Sequence, residues 1–426
     1  MIRSRLGVRI LCTLCAVCSL SFSAPSSARA EGFALMENSA RGMSLAGGIV
    51  ARGGDPSAVA YNPAAITRLS GTQFQANMAL SMFYWGIDTR VGGNQSNSHC
   101  SHQTWPIPSF YFTHQINDKF WFGFGSYTRF GLGVKYPHNW PGGVNLHSVK
   151  LITQSLTPTL AYKINDVFSV AASPEIMWAT MQMRKNLGVL SMPYLGTDIG
   201  DVNINGHGVS YGGNVSVHAQ LNDQWAMGLT YRAPMRLKVH GKSRYDMALG
   251  PTPLGVNLTN SKLRGTMYLP DSFSFGVMYK PMENLSLEAD ATYTMWSRFK
   301  TFNMYMKSPV NEMLPSEKRW KNSWTFGISA EYQPLDWMAL RAGFMYEMSP
   351  QNYGNSDYMV PSNGRNYYTA GIGFFYGNWT LDLAYMYIHN HVLDYTESSA
   401  KTLGVVPGRT THPHAHNFGI GIGYKF

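Results

Sequence analysis

The closing stretch "FGIGIGYKF" (residues 418–426) alternates without exception. Successive side chains of an extended chain point to opposite sides, so Phe418, Ile420, Ile422, Tyr424 and Phe426 share one face. Gly419, Gly421, Gly423 and Lys425 share the other. The same period appears in Trp379, Leu381, Leu383, Tyr385 and Tyr387, with Thr380 and Asp382 between them. It appears again in Leu285, Leu287, Ala289, Ala291 and Tyr293, alternating with Ser286, Glu288, Asp290 and Thr292. Trp324, Phe326, Ile328, Ala330 and Tyr332 alternate in turn with Thr325, Gly327, Ser329 and Glu331. One face is aliphatic and aromatic; the other carries acids, hydroxyls and glycines.

Composition says which solvent the apolar face meets. Charged residues make up 14% of the chain, against about 25% in soluble domains. Aromatics make up 13%, and 42 glycines are spread through strand-like runs. Beyond residue 30 no apolar run approaches the ~20 residues a membrane helix needs, which excludes helical spans there. Low charge, many aromatics and period-two alternation together imply an all-β transmembrane barrel, apolar outside and polar inside. A soluble propeller would instead repeat a motif every ~40–50 residues, and no such motif recurs.

Short polar turns give the strand count. Asn117-Asp118, Asn165-Asp166, Asn222-Asp223, Met282-Glu283-Asn284, Pro334-Leu335-Asp336 and Gly377-Asn378 suit tight turns, and aromatics flank them. Six short turns join twelve strands, and one strand before and one after make fourteen antiparallel strands. Longer connections are expected near 88–104, 137–146, 186–205, 242–262, 303–318, 348–364 and 389–412. Short turns at one end and long loops at the other are the outer-membrane arrangement, with the loops outside.

At the front, Arg3, Arg5 and Arg9 precede an apolar run from Ile10 to Ser23, followed by Ala28-Arg29-Ala30. This reads as an export signal, residues 1–30, cleaved near Ala30. Its loss removes four arginines, so Lys plus Arg falls from 34 to 30 against 24 acids and the charge from +10 to +6. With no dense basic stretch, nucleic acid is not an expected partner. Three of four cysteines leave as well; Cys100 alone remains, so no disulfide framework is expected.

Residues 31–71 precede the first strand, expected at Thr72, and the barrel is expected over 72–426. A barrel of fourteen strands encloses more space than its own side chains fill, since ~8 strands already leave just enough room. Ala40, Gly42, Ala46, Gly47, Gly48, Ala58 and Ala60 suit close packing inside such a wall. In "GGDPSAVAYNPAAIT" (53–67), Asn62, Pro63 and Ala64 form a rigid turn. The segment reads as an N-terminal hatch inside the lumen.

The stretch "GFALMENSARGMSLAGGIVARGGDPSAVAYNPAAIT" (32–67) resembles the hatch of the FadL-type long-chain fatty-acid transporters, a family that includes TodX-like carriers of aromatic hydrocarbons. "LPDSFSFGVMY" (269–279), "YTMWSRF" (293–299), Ser349-Pro350 and the terminal Phe426 extend the resemblance over the mature chain. It implies passive uptake of hydrophobic molecules by a monomer in outer-membrane lipid and lipopolysaccharide. Cargo would be caught by the outer loops, held in an inner pocket reached by Gly32 and Phe33, and released sideways at a kink in the third strand. The kink maps to Arg129, Phe130 and Gly131, with Gly133 beside it. The family pattern also implies basic residues facing a carboxylate. Asn303 stands where one is expected, leaving Arg184, Lys185, Lys300 and Lys307 as candidates, and aromatic hydrocarbons as the alternative cargo.

His389, His391, His412, His414 and His416 fall in the last outer loop, where solvated histidine is commoner than a zinc or copper site; no cofactor and no metal are expected. No Ser and His pair stands out on adjacent strands to point to an enzyme. A general hydrophilic porin would need an open lumen, which residues 31–71 oppose.

Overall fold

The computed structural model describes residues 32–426 except 188–199, 248–259, 308–312, 315, 398, 400–401 and 403. The expected export signal lies outside the described residues, as do parts of four expected loops. Twenty-one strand segments assemble into a closed sheet of fourteen antiparallel strands. These are β1 (Thr72–Val91), β2 (Asn94–His99 and Thr104–Gln115), β3 (Phe120–Tyr127 and Gly131–Lys135), β4 (Ser148–Lys163) and β5 (Phe168–Asn186). Then come β6 (Gly200–Gln220), β7 (Trp225–Arg232 and Met235–Met247), β8 (Ser261–Leu269 and Ser272–Met282) and β9 (Leu285–Thr294, resumed at Met304–Met306). The circuit ends with β10 (Ser323–Leu335), β11 (Met338–Glu347), β12 (Arg365–Tyr376), β13 (Trp379–Asn390) and β14 (Gly408–Lys425). β14 pairs back onto β1 from Gln73↔Lys425 to Thr89↔Gly408 and closes the barrel.

The six expected turns separate β3 from β2, β5 from β4, β7 from β6, β9 from β8, β11 from β10 and β13 from β12. Asn117, Asn165 and Asn222 each accept two backbone N–H groups through Oδ1, which is why Asn opens these turns. The first long loop differs from expectation. β1 runs on to Val91, turns at Gly92-Gly93 and pairs with Asn94–His99. This hairpin carries polar residues on both faces, so no hydrophobic alternation announced it.

Outward positions are apolar: Phe418, Ile420 and Ile422 are exposed along β14, while Gly419, Gly421 and Gly423 turn into the lumen. The glycine face is explained by what lies inside. Residues 32–71 fill the lumen as two short helices, α1 (Ala40–Ser44) and α2 (Ala58–Tyr61), and a 3-10 turn at Pro63–Arg68. A side chain at Gly419 would run into Met43.

Charges fasten this inner segment to the wall. Arg41 donates to Asp55 of its own segment (3.0 Å) and to Glu331 of β10 (2.8 Å). Glu331 also accepts from Arg341 of β11 (2.6 Å), which in turn meets Asp382 of β13 (2.5 Å). Nearby, the backbone N–H groups of Ala51 and Arg52 donate to Glu288 of β9 at 2.7 and 2.8 Å. The inward acids are visible in the strand pattern; their partners Arg41, Ala51 N and Arg52 N come from the inner segment and Arg341 from the wall. Asn62 is fully buried and donates through Nδ2 to Val50 O (2.7 Å) and to Val217 O of β6 (3.0 Å). Its Oδ1 accepts from Ala64 N (3.2 Å), with Pro63 opening the 3-10 turn.

Removing one member of a buried ion network leaves its partners uncompensated, at a cost of about 3 kcal/mol. Arg41→Met is therefore expected to lower the urea midpoint of the detergent-solubilised protein, and Arg41→Met with Glu331→Gln to recover part of that loss.

Candidate functional site

The β2–β3 seam of the barrel wall is left unpaired along one stretch. Pairing there runs from Phe110↔Ser126 to Gln115↔Trp121 and stops. The upper part of β3, Gly131–Lys135, pairs with β4 alone. A hydrogen bond from Ser101 N to Lys135 O (2.8 Å) closes the seam above. β3 leaves its course through a bulge. Tyr127 pairs with Ser155 and Gly131 with Ile152, so three residues of β3 face two of β4. An extra residue bends a strand and sharpens its twist. Thr153 holds the bulge by accepting from Phe130 N (3.1 Å) and donating to Phe130 O (2.7 Å).

The expected kink residues Arg129, Phe130 and Gly131 occupy this bulge, and the stretch Phe33–Leu35 docks on it. Leu35 N donates to Arg129 O and Gly131 N donates to Phe33 O, both at 3.0 Å, about the single bridge Ala34↔Phe130. Gly32, Phe33, Arg129, Phe130, Gly131 and Gly133 are thus brought to one place. Arg129 is buried and donates to Glu175 of β5 (3.1 Å).

Phe33, 3% exposed, sits in an aromatic cage with ring centroids at 5.0 Å (Trp296), 5.7 Å (Phe299), 5.9 Å (Phe130) and 5.9 Å (Trp320). The 3-10 turn Trp296–Arg298 within the "WSRF" run swings two of these rings inward. Gly32 has no room for a side chain, since a Cβ would fall 2.3 Å from the Trp320 ring. Its carbonyl accepts from Arg365 Nη2 (3.1 Å).

Above this cage lies a cavity of about 250 Å³. Phe33, Leu35, Ser81, Ile107 and Leu151 line it from within; Pro106, Pro108 and Ile152 line it from the outward face of the wall, Ile152 being 43% exposed. One cavity therefore crosses the sheet where pairing fails. A second cavity of about 110 Å³ lies on the other side of the Ala34–Leu35 stretch, with polar lining from Asn38, Arg232 and Asp290.

The four basic candidates separate. Arg184 is exposed and donates to Asn203 Oδ1 (2.6 Å), because in β5 it is one residue out of step with the inward positions. Lys300 lies exposed just past the 3-10 turn, and Lys307 falls in step with the exposed Tyr305, so neither reaches a cavity. Lys185 alone lines one, a small space of about 30 Å³ with Phe302 and Asp357. Asn303 instead accepts from Ser316 N (3.0 Å). Lys318, unmarked by any motif, is the deeply buried cation nearby at 2% exposed, paired with Asp357. His414 and His416 lie on the outward face, against Tyr84 and Tyr387.

A closed fourteen-strand barrel with an apolar outer face, a filled lumen and a wall-crossing apolar cavity is an outer-membrane transport barrel for hydrophobic molecules. The family model for outer membrane protein transport proteins (OMPP1/FadL/TodX) matches residues 21–426, and the chain belongs to that family. It is a transport protein of the bacterial outer membrane, not an enzyme. It is 22% identical to outer membrane protein P1 of Haemophilus influenzae, covering 95% of this chain and 97% of the relative. It is also 22% identical to the long-chain fatty acid transport protein of Salmonella typhi, over 86% and 89% of the two chains. Among solved structures, a Pseudomonas aeruginosa FadL homologue superposes with TM-score 0.82 at 21% identity, covering 93% of this chain and 100% of that one. The Pseudomonas putida toluene transporter TodX gives 0.71 at 17%, covering 92% and 99%.

Phe33→Ala would empty the aromatic cage; filling of that kind contributes about 3 kcal/mol. A lower thermal midpoint in detergent, with the β circular dichroism of the folded state retained, is the expected result.

Proposed function

We propose that this protein carries long-chain fatty acids passively across the outer barrier and releases them sideways through the β2–β3 seam. The single observation behind this reading is the apolar cavity that crosses the wall where β2 and β3 fail to pair. Residues 32–71 act as a hatch that stays in place. They are fastened by the Arg41, Ala51 and Asn62 contacts, and Phe33–Leu35 seal the cavity from the polar space beyond. Gly32 and Phe33 form the pocket floor, and Arg129–Gly133 the exit. Cargo leaves into the surrounding outer-membrane lipid and lipopolysaccharide without passing the hatch.

Fatty acid is favoured over a neutral aromatic by Lys185, a half-buried cation lining the small inner cavity, which would attract a carboxylate. The long-chain fatty acid transport protein among the relatives supports the same choice. TodX-like carriage of aromatic hydrocarbons uses the same route and is the alternative.

The test is uptake of labelled oleate and labelled toluene by bacteria lacking their own fatty-acid transporter. Cells with the protein in the outer membrane should accumulate oleate well above cells without it. Gly131→Phe, which forces a ring against Leu35 at the seam, should abolish that gain. Folded protein that takes up toluene but not oleate would select the hydrocarbon reading; a Gly131→Phe variant with undiminished uptake would exclude the seam as the exit.

A further inference from the structure

The mouth of the seam carries a cation that the uptake route has not accounted for. Lys150 lies on β4 beside Gly133 of β3, in the same outward row as Ile152. It lines the wall-crossing cavity, and its ammonium rests 5.2 Å from the centroid of the Trp105 ring. That ring lies across the seam: a Cβ at Gly133 would fall 2.4 Å from it, so only glycine lets the indole close the gap between β2 and the upper part of β3.

Two cations line this cavity, and they differ in their partners. Arg365 is taken by Glu347 (3.4 Å) and by the Gly32 carbonyl (3.1 Å). Lys150 has no acid within ion-pair distance among the described residues. An ammonium on the lipid-facing side of a barrel is unfavourable by about 2–4 kcal/mol at the midplane and by much less near the interface. Lys150 stands two residues inside the outer end of β4 at Ser148, where that cost is small.

We propose that Lys150 and Trp105 form an acid-selective sill at the lateral exit. Lys150 receives the carboxylate of an outgoing acidic amphiphile at the membrane interface while the tail slides past the Trp105 ring into the hydrocarbon. The inference deepens the lateral-release reading and rests on it. An ammonium–carboxylate contact holds the headgroup at the depth where water remains, which is where an acid in a bilayer comes to rest. A neutral hydrocarbon gains nothing from the cation.

The experiment compares oleate with oleyl alcohol, which share a tail and differ in charge. In the uptake assay, Lys150→Met is expected to lower the oleate-to-oleyl alcohol ratio about three- to tenfold, the worth of one partly exposed charge-assisted hydrogen bond, and Lys150→Arg to restore it. The same ratio is then read as relative affinity by competition in purified protein held in a nonionic detergent, which contains no phosphate. A ratio unchanged by Lys150→Met in both settings overturns the proposal. A ratio that changes in cells but not in detergent also overturns it, because Lys150 would then serve a lipid phosphate and not the cargo. Gly131→Phe separates the two levels: if it stops both compounds while Lys150→Met leaves the ratio alone, the exit stands and the sill falls. If Gly131→Phe stops neither, the lateral route itself fails.

Discussion

Everything in this fold follows from the rule that backbone N–H and C=O groups inside a bilayer must find partners within the protein. Fourteen strands meet the rule by closing on themselves, with β14 zipped onto β1. Where the ladder opens between β2 and β3, the edges are built so that the opening is tolerable. Alternate residues of a strand direct their N–H groups to the same neighbour, and β1 pairs with β2 without a break through Met78↔Pro108 and Leu80↔Pro106. Pro106 and Pro108 therefore withhold two donors on the open edge, where a paired strand would need them. On the other side, the bulge is satisfied by Thr153 and by the chain's own N-terminal stretch.

The same constraint explains why the inner segment is polar at its contacts and small in its side chains. A wall of strands presents inward carboxylates such as Glu288 and Glu331, and burying them requires cations or amides in return. Arg41 and the Ala51 and Arg52 amides supply these, so the segment is held by directional contacts and not by apolar filling alone. On the lateral-release proposal, seal and exit are linked physically: the stretch that would close the pocket floor, Phe33–Leu35, is also the stretch that pairs with the bulge.

Much of this was legible in the chain. Period-two alternation and the Asn-Asp turns are local signals, and they gave the strand count and the six tight turns. The loop expected near 303–318 instead lies between strands ending at Thr294 and beginning at Ser323, with short pairings within it. The polar hairpin at Gly92-Gly93 was not legible, because strands above the membrane have two wet faces and no alternation. In the site, Gly32-Phe33 and Arg129–Gly133 were marked by the family resemblance, yet nothing along the chain says that they touch. Trp320, Lys318 and Trp105 were missed for that reason: each matters through a neighbour hundreds or tens of residues away. Arg184, Lys300 and Lys307 failed differently, since charge was read without the strand parity that decides which way it faces.

On the proposed route, cargo crosses the wall at the seam and does not pass the inner segment. The most direct measurement is photo-crosslinking with a long-chain fatty acid carrying a diazirine in its tail, followed by mapping the labelled residues by mass spectrometry. Labelling of Pro106, Pro108 and Ile152 together with Phe33 and Leu151 is the predicted result. Labelling confined to the lumen beyond Leu35, around Val50, Asp290 and the far end of the inner segment, would contradict it.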